Sequence, residues 1–199
     1  MTWGEPFTDE FYELKVAGLT RKLPKVKIND ELAIASFVIL GDTELIEECA
    51  EAIILHADFP KDGIDILCTP EAKGIPLVHT IARRLGKDYV IARKSIKGYM
   101  NNPMIEKVQS ITTIGAQTLV LDSSDVKKLE GKKVGIIDDV VSTGGSLIGL
   151  QTMLEKIDCS IVCKAAVLLE EAGYDKGDII FLEKLPIFKP EKNDTNYRL

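Results

Sequence analysis

The chain is poor in the residues that build metal and redox centres. It has two histidines, His56 and His79, each in a helix-like segment with no ligand cluster beside it. Its four cysteines, Cys49, Cys68, Cys159 and Cys163, include no C-x-x-C pair. A His/Cys metal site therefore has little support, and the cysteines read as small apolar fillers in a reducing compartment. No apolar run approaches the roughly 18 residues that a membrane-crossing helix needs. The segment "MTWGEPFTDEFYELK" lacks the basic-then-apolar pattern of a secretion signal, so cytoplasmic residence is expected. Excess positive charge is missing too: 25 Lys and Arg stand against 31 Asp and Glu, a net charge of −6. That balance argues against general nucleic-acid binding and leaves room only for local basic sites. Neither G-x-x-x-x-G-K-[ST] nor G-x-G-x-x-G occurs, which removes the P-loop and the dinucleotide fingerprint.

What remains is a globular profile. Of 199 residues, 45% are hydrophobic, enough for a large core without staples. Strand-like and helix-like segments alternate: "IDILCT" (64–69), "KGIPLVHTIARRLG" (73–86), "YVIAR" (89–93), "QTLVL" (117–121), "KVGIID" (133–138), "LIGLQTMLEKI" (147–157), "SIVCKAAVLLE" (160–170) and "DIIFLEK" (178–184). Such alternation predicts an α/β fold, a parallel twisted sheet flanked by helices. Residues 94–116 hold no sustained period, and "GYMNNP" within them reads as a turn; so long an open segment is often a functional lid. Residues 1–42 combine a helix-like "TDEFYELKVAG" with two strand candidates, "KVKIN" and "AIASFVIL", and read as a small cap on the sheet. With no repeat and no linker, residues 1–199 are expected to form a single domain.

The stretch that carries chemistry is "VGIIDDVVSTGGSL" (134–147). An apolar strand ends in Asp138 and Asp139, where an open parallel sheet places its ligands. There, at a solvent-facing edge, the pair can address two hydroxyls of one sugar, or one hydroxyl and a metal. Gly144 and Gly145 let the backbone approach a ligand closely. The amides of that turn, with the hydroxyls of Ser142, Thr143 and Ser146, form a cup at a helix start, which suits a phosphate.

This stretch resembles the phosphoribosyl-pyrophosphate (PRPP) motif of the type I phosphoribosyltransferases: four hydrophobic residues, two acids and a TGGT-like loop. The order of segments agrees over about residues 60–185, which the resemblance makes the PRPP-binding core. It implies the fold of that family with a small hood of N-terminal and C-terminal segments, in which residues 1–42 bind the base. It also implies transfer of a phosphoribosyl group from PRPP to a base, with Asp138 and Asp139 as the catalytic pair. Val141, Ser142, Thr143, Gly144, Gly145 and Ser146 would hold the 5′-phosphate. The loop "EAKG", Glu71, Ala72, Lys73 and Gly74, is similar to the E-A-R-G of adenine enzymes and would contact pyrophosphate, with Lys73 where Arg is usual. Arg93, Lys94 and Lys97 in "ARKSIKGYM" would join it. Magnesium is expected as cofactor, held mainly by PRPP or pyrophosphate oxygens and waters rather than by a protein cage. A homodimer is implied, with PRPP and a purine base as partners and neither nucleic acid nor membrane.

For the base, "AAVLLEEAG" (165–173) is similar to a segment of adenine enzymes. Glu171 there is a candidate acceptor for an amine, Phe37 a candidate stacking residue, and Arg21 within reach of the same place. Adenine is the leading base; xanthine or hypoxanthine/guanine is the alternative. The loop "VQSITTIGAQTL" lacks the Glu-Tyr of adenine enzymes and is closer to xanthine enzymes and purine-sensing repressors. A regulator that senses PRPP without turning it over therefore stands as a rival, although the residues ahead of the core are not basic and read as a cap.

Overall fold

The computed structural model describes residues 11–29, 31–108, 117–171 and 173–189. In chain order it contains β1 (Phe11–Val16), β2 (Leu19–Lys27), β3 (Ala33–Ala35), α1 (Thr43–Leu55), β4 (Ile66–Pro70), α2 (Ile75–Leu85), β5 (Asp88–Ala92), β6 (Met104–Val108) and β7 (Gln117–Leu121). It continues with α3 (Ser123–Leu129), β8 (Lys133–Val141), α4 (Gly145–Leu154), β9 (Ser160–Glu170), β10 (Ile180–Leu185) and β11 (Ile187–Phe188). The centre is a five-stranded sheet of order β10-β9-β8-β4-β5. Every pair in it is parallel, with β4 aligned Ile66 to Val134 on β8 and β8 aligned Asp138 to Ala166 on β9. Its inner strands are apolar on both faces, as a sheet covered by helices on both sides requires.

One face packs against α1 and α2 through Ile53, Leu67, Leu77, Ile81 and Ile137. The other packs against α3 and α4 through Leu129, Ile136, Leu150 and Met153. The helix starts follow capping chemistry: Asp42 accepts the Leu45 N–H at 3.0 Å to open α1, and left-handed Gly86 closes α2. A second sheet, antiparallel and of order β1-β2-β3-β11, joins N-terminal strands to a C-terminal one and forms the hood.

Four expectations change. "FYELKV" is a strand, not part of a helix, because Leu14 and Val16 face inward while Glu13 and Lys15 face out, a period of two. Of "AIASFVIL" only Ala33–Ala35 pairs as a strand. The segment 94–116 is not wholly open: Met104–Val108 pairs antiparallel with Gln117–Leu121, so β7 lies in a separate two-stranded sheet rather than the parallel one. Its alternation is inverted, with Ile105 outward and Glu106 inward, the latter paired with Lys156; hydrophobicity therefore carries no signal there. Finally, β8 runs on through Asp138 and Asp139 to Val141, and both acids are buried, not solvent-facing, at 9% and 4% exposure.

Candidate active site

The sheet order creates the crevice. β4 leads through α2 to β5 on one side, and β8 leads through α4 to β9 on the other. The neighbours β4 and β8 thus diverge at their carboxyl ends, the switch point where open α/β sheets bind ligands. Four segments leave the sheet there: residues 71–74 after β4, 93–97 after β5, 142–146 after β8, and Glu170 at the end of β9.

Asp138 turns its Oδ1 onto the Asp139 N–H at 2.9 Å. Burial, with the negative charge of Asp139 next to it, pushes the Asp138 carboxyl well above its usual range. Gly74 lies directly over this residue: a Cβ there would stand 2.4 Å from Thr69 Oγ1 and 3.2 Å from Asp138 Oδ1. Only glycine lets the 71–74 loop close down on β8. The Glu71–Ala72 peptide within that loop is cis.

Asp139 Oδ2 is buried, and Lys73 Nζ approaches it to 3.1 Å. The approach is an ion pair by distance, but it lacks hydrogen-bond alignment, so Oδ2 has no hydrogen-bond partner. The distance and the missing hydrogen bond describe different things, and both matter: the charge is balanced while the lone pairs stay open to a donor. Lys73 Nζ also reaches the Phe37 carbonyl at 3.4 Å. Its half-exposed cation therefore sits at the mouth between the acid pair and the hood.

Of the other expected pyrophosphate residues, Glu71 has a bracing part. Its carboxylate accepts the Lys94 N–H at 2.9 Å and pairs with Arg93 at 3.4 Å, contacts that hold its pKa below the usual range. Arg93 is further tied to β7, since Arg93 and Val120 exchange both backbone hydrogen bonds at 2.8 Å. Lys97 Nζ donates to Ser95 Oγ at 2.7 Å. Arg93, Lys94 and Lys97 thus stand on one turn, and Glu71 pins that turn to the 71–74 loop.

On the far side of the acids, residues 142–146 pass into α4 with no side chain capping the helix start. The first-turn amides lack helical partners, so the turn presents donors and the positive end of the helix dipole. Gly144 is left-handed at φ +81°, and a Cβ on it would stand 2.5 Å from the Tyr174 ring. The space above Gly144 therefore belongs to Tyr174, and the reason for glycine at this position is that ring, not room for a phosphate.

Between hood and sheet lies a cavity of about 490 Å³, lined on the hood side by Ile34 and Phe37 and on the sheet side by Lys73, Val140, Ser142 and Glu170. Glu170, not Glu171, is the carboxylate on this cavity. Glu171 is exposed and is used through its backbone, donating to the Leu185 carbonyl at 3.0 Å. Glu170 accepts the Ser142 hydroxyl. Its place as the last residue of β9 was the usable signal, since that position lies on the ligand edge. Phe37 does line the cavity, although it is 4% exposed and packs in the core. Arg21 points elsewhere, bound to Asp42 at 2.6 Å and Glu44 at 2.7 Å where β2 meets the start of α1. Residues 109–116, which hold most of the loop expected to carry or lack the Glu-Tyr pair, lie outside the described residues.

Residues 42–186 match the phosphoribosyl transferase domain. The chain belongs to that family. A hypoxanthine/guanine phosphoribosyltransferase of Methanosarcina acetivorans is 36% identical over 135 residues, 68% of this chain and 66% of that protein. An adenine phosphoribosyltransferase of Clostridium novyi is 31% identical over 125 residues, 62% of this chain and 68% of that protein. The adenine phosphoribosyltransferase of Thermoanaerobacter pseudethanolicus superposes with a TM-score of 0.60 at 25% identity, covering 73% of this chain and 84% of that one. The chain spans about two thirds of the length of the curated relatives it matches.

Proposed function

We propose that this member of the family is a purine phosphoribosyltransferase, converting PRPP and a purine base to the nucleoside 5′-monophosphate and pyrophosphate. The observation that carries this reading is Asp139 Oδ2: a buried, charge-balanced oxygen without a donor, beside Asp138 and between two anion-accepting loops. A ribose hydroxyl supplies the missing donor. With the 5′-phosphate on the amides of 143–146 and the pyrophosphate toward Lys73, Arg93 and Lys94, the anomeric carbon faces the cavity that holds the base.

Breaking the bond to pyrophosphate leaves positive charge on the ribose ring, as in glycoside chemistry. The Asp138–Asp139 pair fixes the sugar and stabilises that charge. The basic turn takes up negative charge on the departing pyrophosphate. Magnesium would be held as a companion of that group, by its oxygens and by waters, at the edge where Asp138 and Asp139 supply carboxylate oxygens. When bound, the ion neutralises the leaving group's charge. Neither acid acts as a nucleophile, since the base itself attacks as pyrophosphate departs.

Adenine is the leading base. Glu170 offers acceptors only, and a carboxylate at the edge of an apolar cavity favours a partner that presents an amine. A second reading, hypoxanthine or guanine, is favoured by the names of relatives such as that of M. acetivorans. The test is turnover with PRPP and magnesium on adenine, hypoxanthine, guanine, xanthine and orotate. Highest kcat/KM with adenine supports the reading, and highest kcat/KM with hypoxanthine shifts it to the second. PRPP binding without turnover on any base would make the chain a sensor. Absence of PRPP binding by calorimetry would overturn the proposal. A homodimer, expected from the family resemblance, is checked by sedimentation of the same sample.

A further inference from the structure

Among the described residues, Lys164 is the one buried cation, and the proposed reaction does not use it. It lies inside β9 with 8% exposure, on the face of the sheet that carries α4. An ammonium in such a place is costly unless each of its donors is met. All three are met: by Gln151 Oε1 of α4 at 3.2 Å, by the Tyr174 hydroxyl at 3.2 Å, and by Asp178. Tyr174 in turn donates its hydroxyl to Asp178 Oδ1 at 2.6 Å. The two partners outside α4 belong to the segment between β9 and β10, and that segment folds back on the 142–146 loop. The Tyr174 N–H donates to the Ser142 carbonyl at 2.8 Å, and its ring covers Gly144. Gly173 comes so near that a Cβ would stand 2.0 Å from the Ser142 carbonyl oxygen.

We propose that Tyr174, clamped by Lys164 and Asp178, is a positioning residue that fixes the 142–146 loop in its anion-accepting shape. The loop has no side-chain cap of its own. Besides the Ser142 hydroxyl bond to Glu170, it is held from outside at two further points: at Ser142 and Gly144 by Tyr174, and along α4 by Gln151. Lys164 joins both points, so loop, helix and covering segment move as one body. The clamp never touches the substrate, and what it sets is the geometry of the donors.

The role of the loop as a phosphate site rests on the function proposed above, so the test has one arm that needs no ligand. Tyr174→Phe keeps the ring over Gly144 and removes the hydroxyl link; Lys164→Met removes the cation. In the 199-residue chain, hydrogen exchange at the Tyr174 and Ile148 amides, which donate to the Ser142 and Gly144 carbonyls, is expected to quicken about tenfold or more in both variants, with the β8 amides of Val134–Ile137 unchanged. The KM for PRPP should rise about tenfold with kcat and the KM for the base within about twofold, because the lost donor alignment weakens binding of the 5′-phosphate throughout the reaction. If Lys164→Met does not fold, Tyr174→Phe carries the comparison alone. Unchanged exchange at Tyr174 and Ile148 in the folded variants overturns the clamp, even if their melting temperatures fall. Should the wild type bind no PRPP, the functional reading fails, while the exchange result still decides the clamp.

Discussion

Burial and the adjacent charge of Asp139 both push the Asp138 carboxyl well above its usual range, so ionising it costs the folded state. The sign follows from proton linkage: between the ordinary carboxylate pKa and the raised folded one, the native state binds more protons than the unfolded chain. Stability therefore falls as pH rises through that interval. Asp138→Asn should raise the melting temperature at pH 7 by roughly 2–6 °C, at about 2–4 °C per kcal/mol for a chain of this size. The gain should shrink toward zero as pH falls below about 3, where the wild-type group is protonated in both states. If the acid pair stabilises the charge on the ribose ring as proposed, the same variant should lose kcat by about ten- to a thousandfold. Melting curves from about pH 3 to 8 beside steady-state kinetics check both halves. Activity lost through unfolding would instead make the pair structural. Lys73 gives the complementary case. Lys73→Met leaves Asp139 Oδ2 buried without its counter-ion, so both a lower melting temperature and a higher KM for PRPP are expected.

Among the elements, the turn after β8 and the segment after β9 interlock through glycines. Gly173→Ala would drive a Cβ to 2.0 Å from a backbone oxygen, a neighbour that cannot rotate away. A loss of about 1–3 kcal/mol is expected from such overpacking, read as a lower midpoint in urea with unchanged slope. Gly131→Ala serves as control: it has open space around it but a φ of +68°, so any cost there is backbone strain alone. Neither contact can be read from sequence, because both join residues 142–144 to 173–174 across a strand and a helix. What was legible followed from local period and local chemistry. β4, β5, β8 and β9 are apolar runs, α2 has a helical stripe and a glycine stop, and the acids with their glycine turn form a contiguous motif. What was not legible depended on tertiary partners. β1 alternates weakly enough to pass for helix, and β6 turns its isoleucine outward because Glu106 pairs with Lys156. The acids belong to a motif that sequence displays, but their burial comes from the 71–74 loop folding over them. The step from Glu171 to Glu170 needed the end of β9 to be located to a single residue, which apolar periodicity does not do.

Over the whole molecule, two sheets divide the work. The parallel sheet supplies the acid pair and both anion loops, and the hood supplies Ile34 and Phe37 as the opposite wall of the cavity. Lys73 spans the two, from Asp139 on β8 to the Phe37 carbonyl of the hood. In the proposed reading the base and sugar sites are mechanically joined but chemically separate, and a change at Glu170 should act on one without the other. Glu170→Gln keeps the size of the side chain and an oxygen for the Ser142 hydroxyl, yet replaces one acceptor by an amide donor. If Glu170 reads an amine on the base, kcat/KM for adenine should fall by about ten- to a hundredfold, the cost of meeting a donor with a donor in a dry pocket. Hypoxanthine, which presents an oxygen where adenine presents its amine, should lose less or gain. The KM for PRPP should stay within about twofold, because Glu170 lies on the base side of the acid pair. The measurement is kcat/KM for both bases and KM for PRPP in wild type and variant. An equal loss for both bases would mean that Glu170 serves the Ser142 turn alone, and base choice would then rest with the apolar walls and the hood carbonyls.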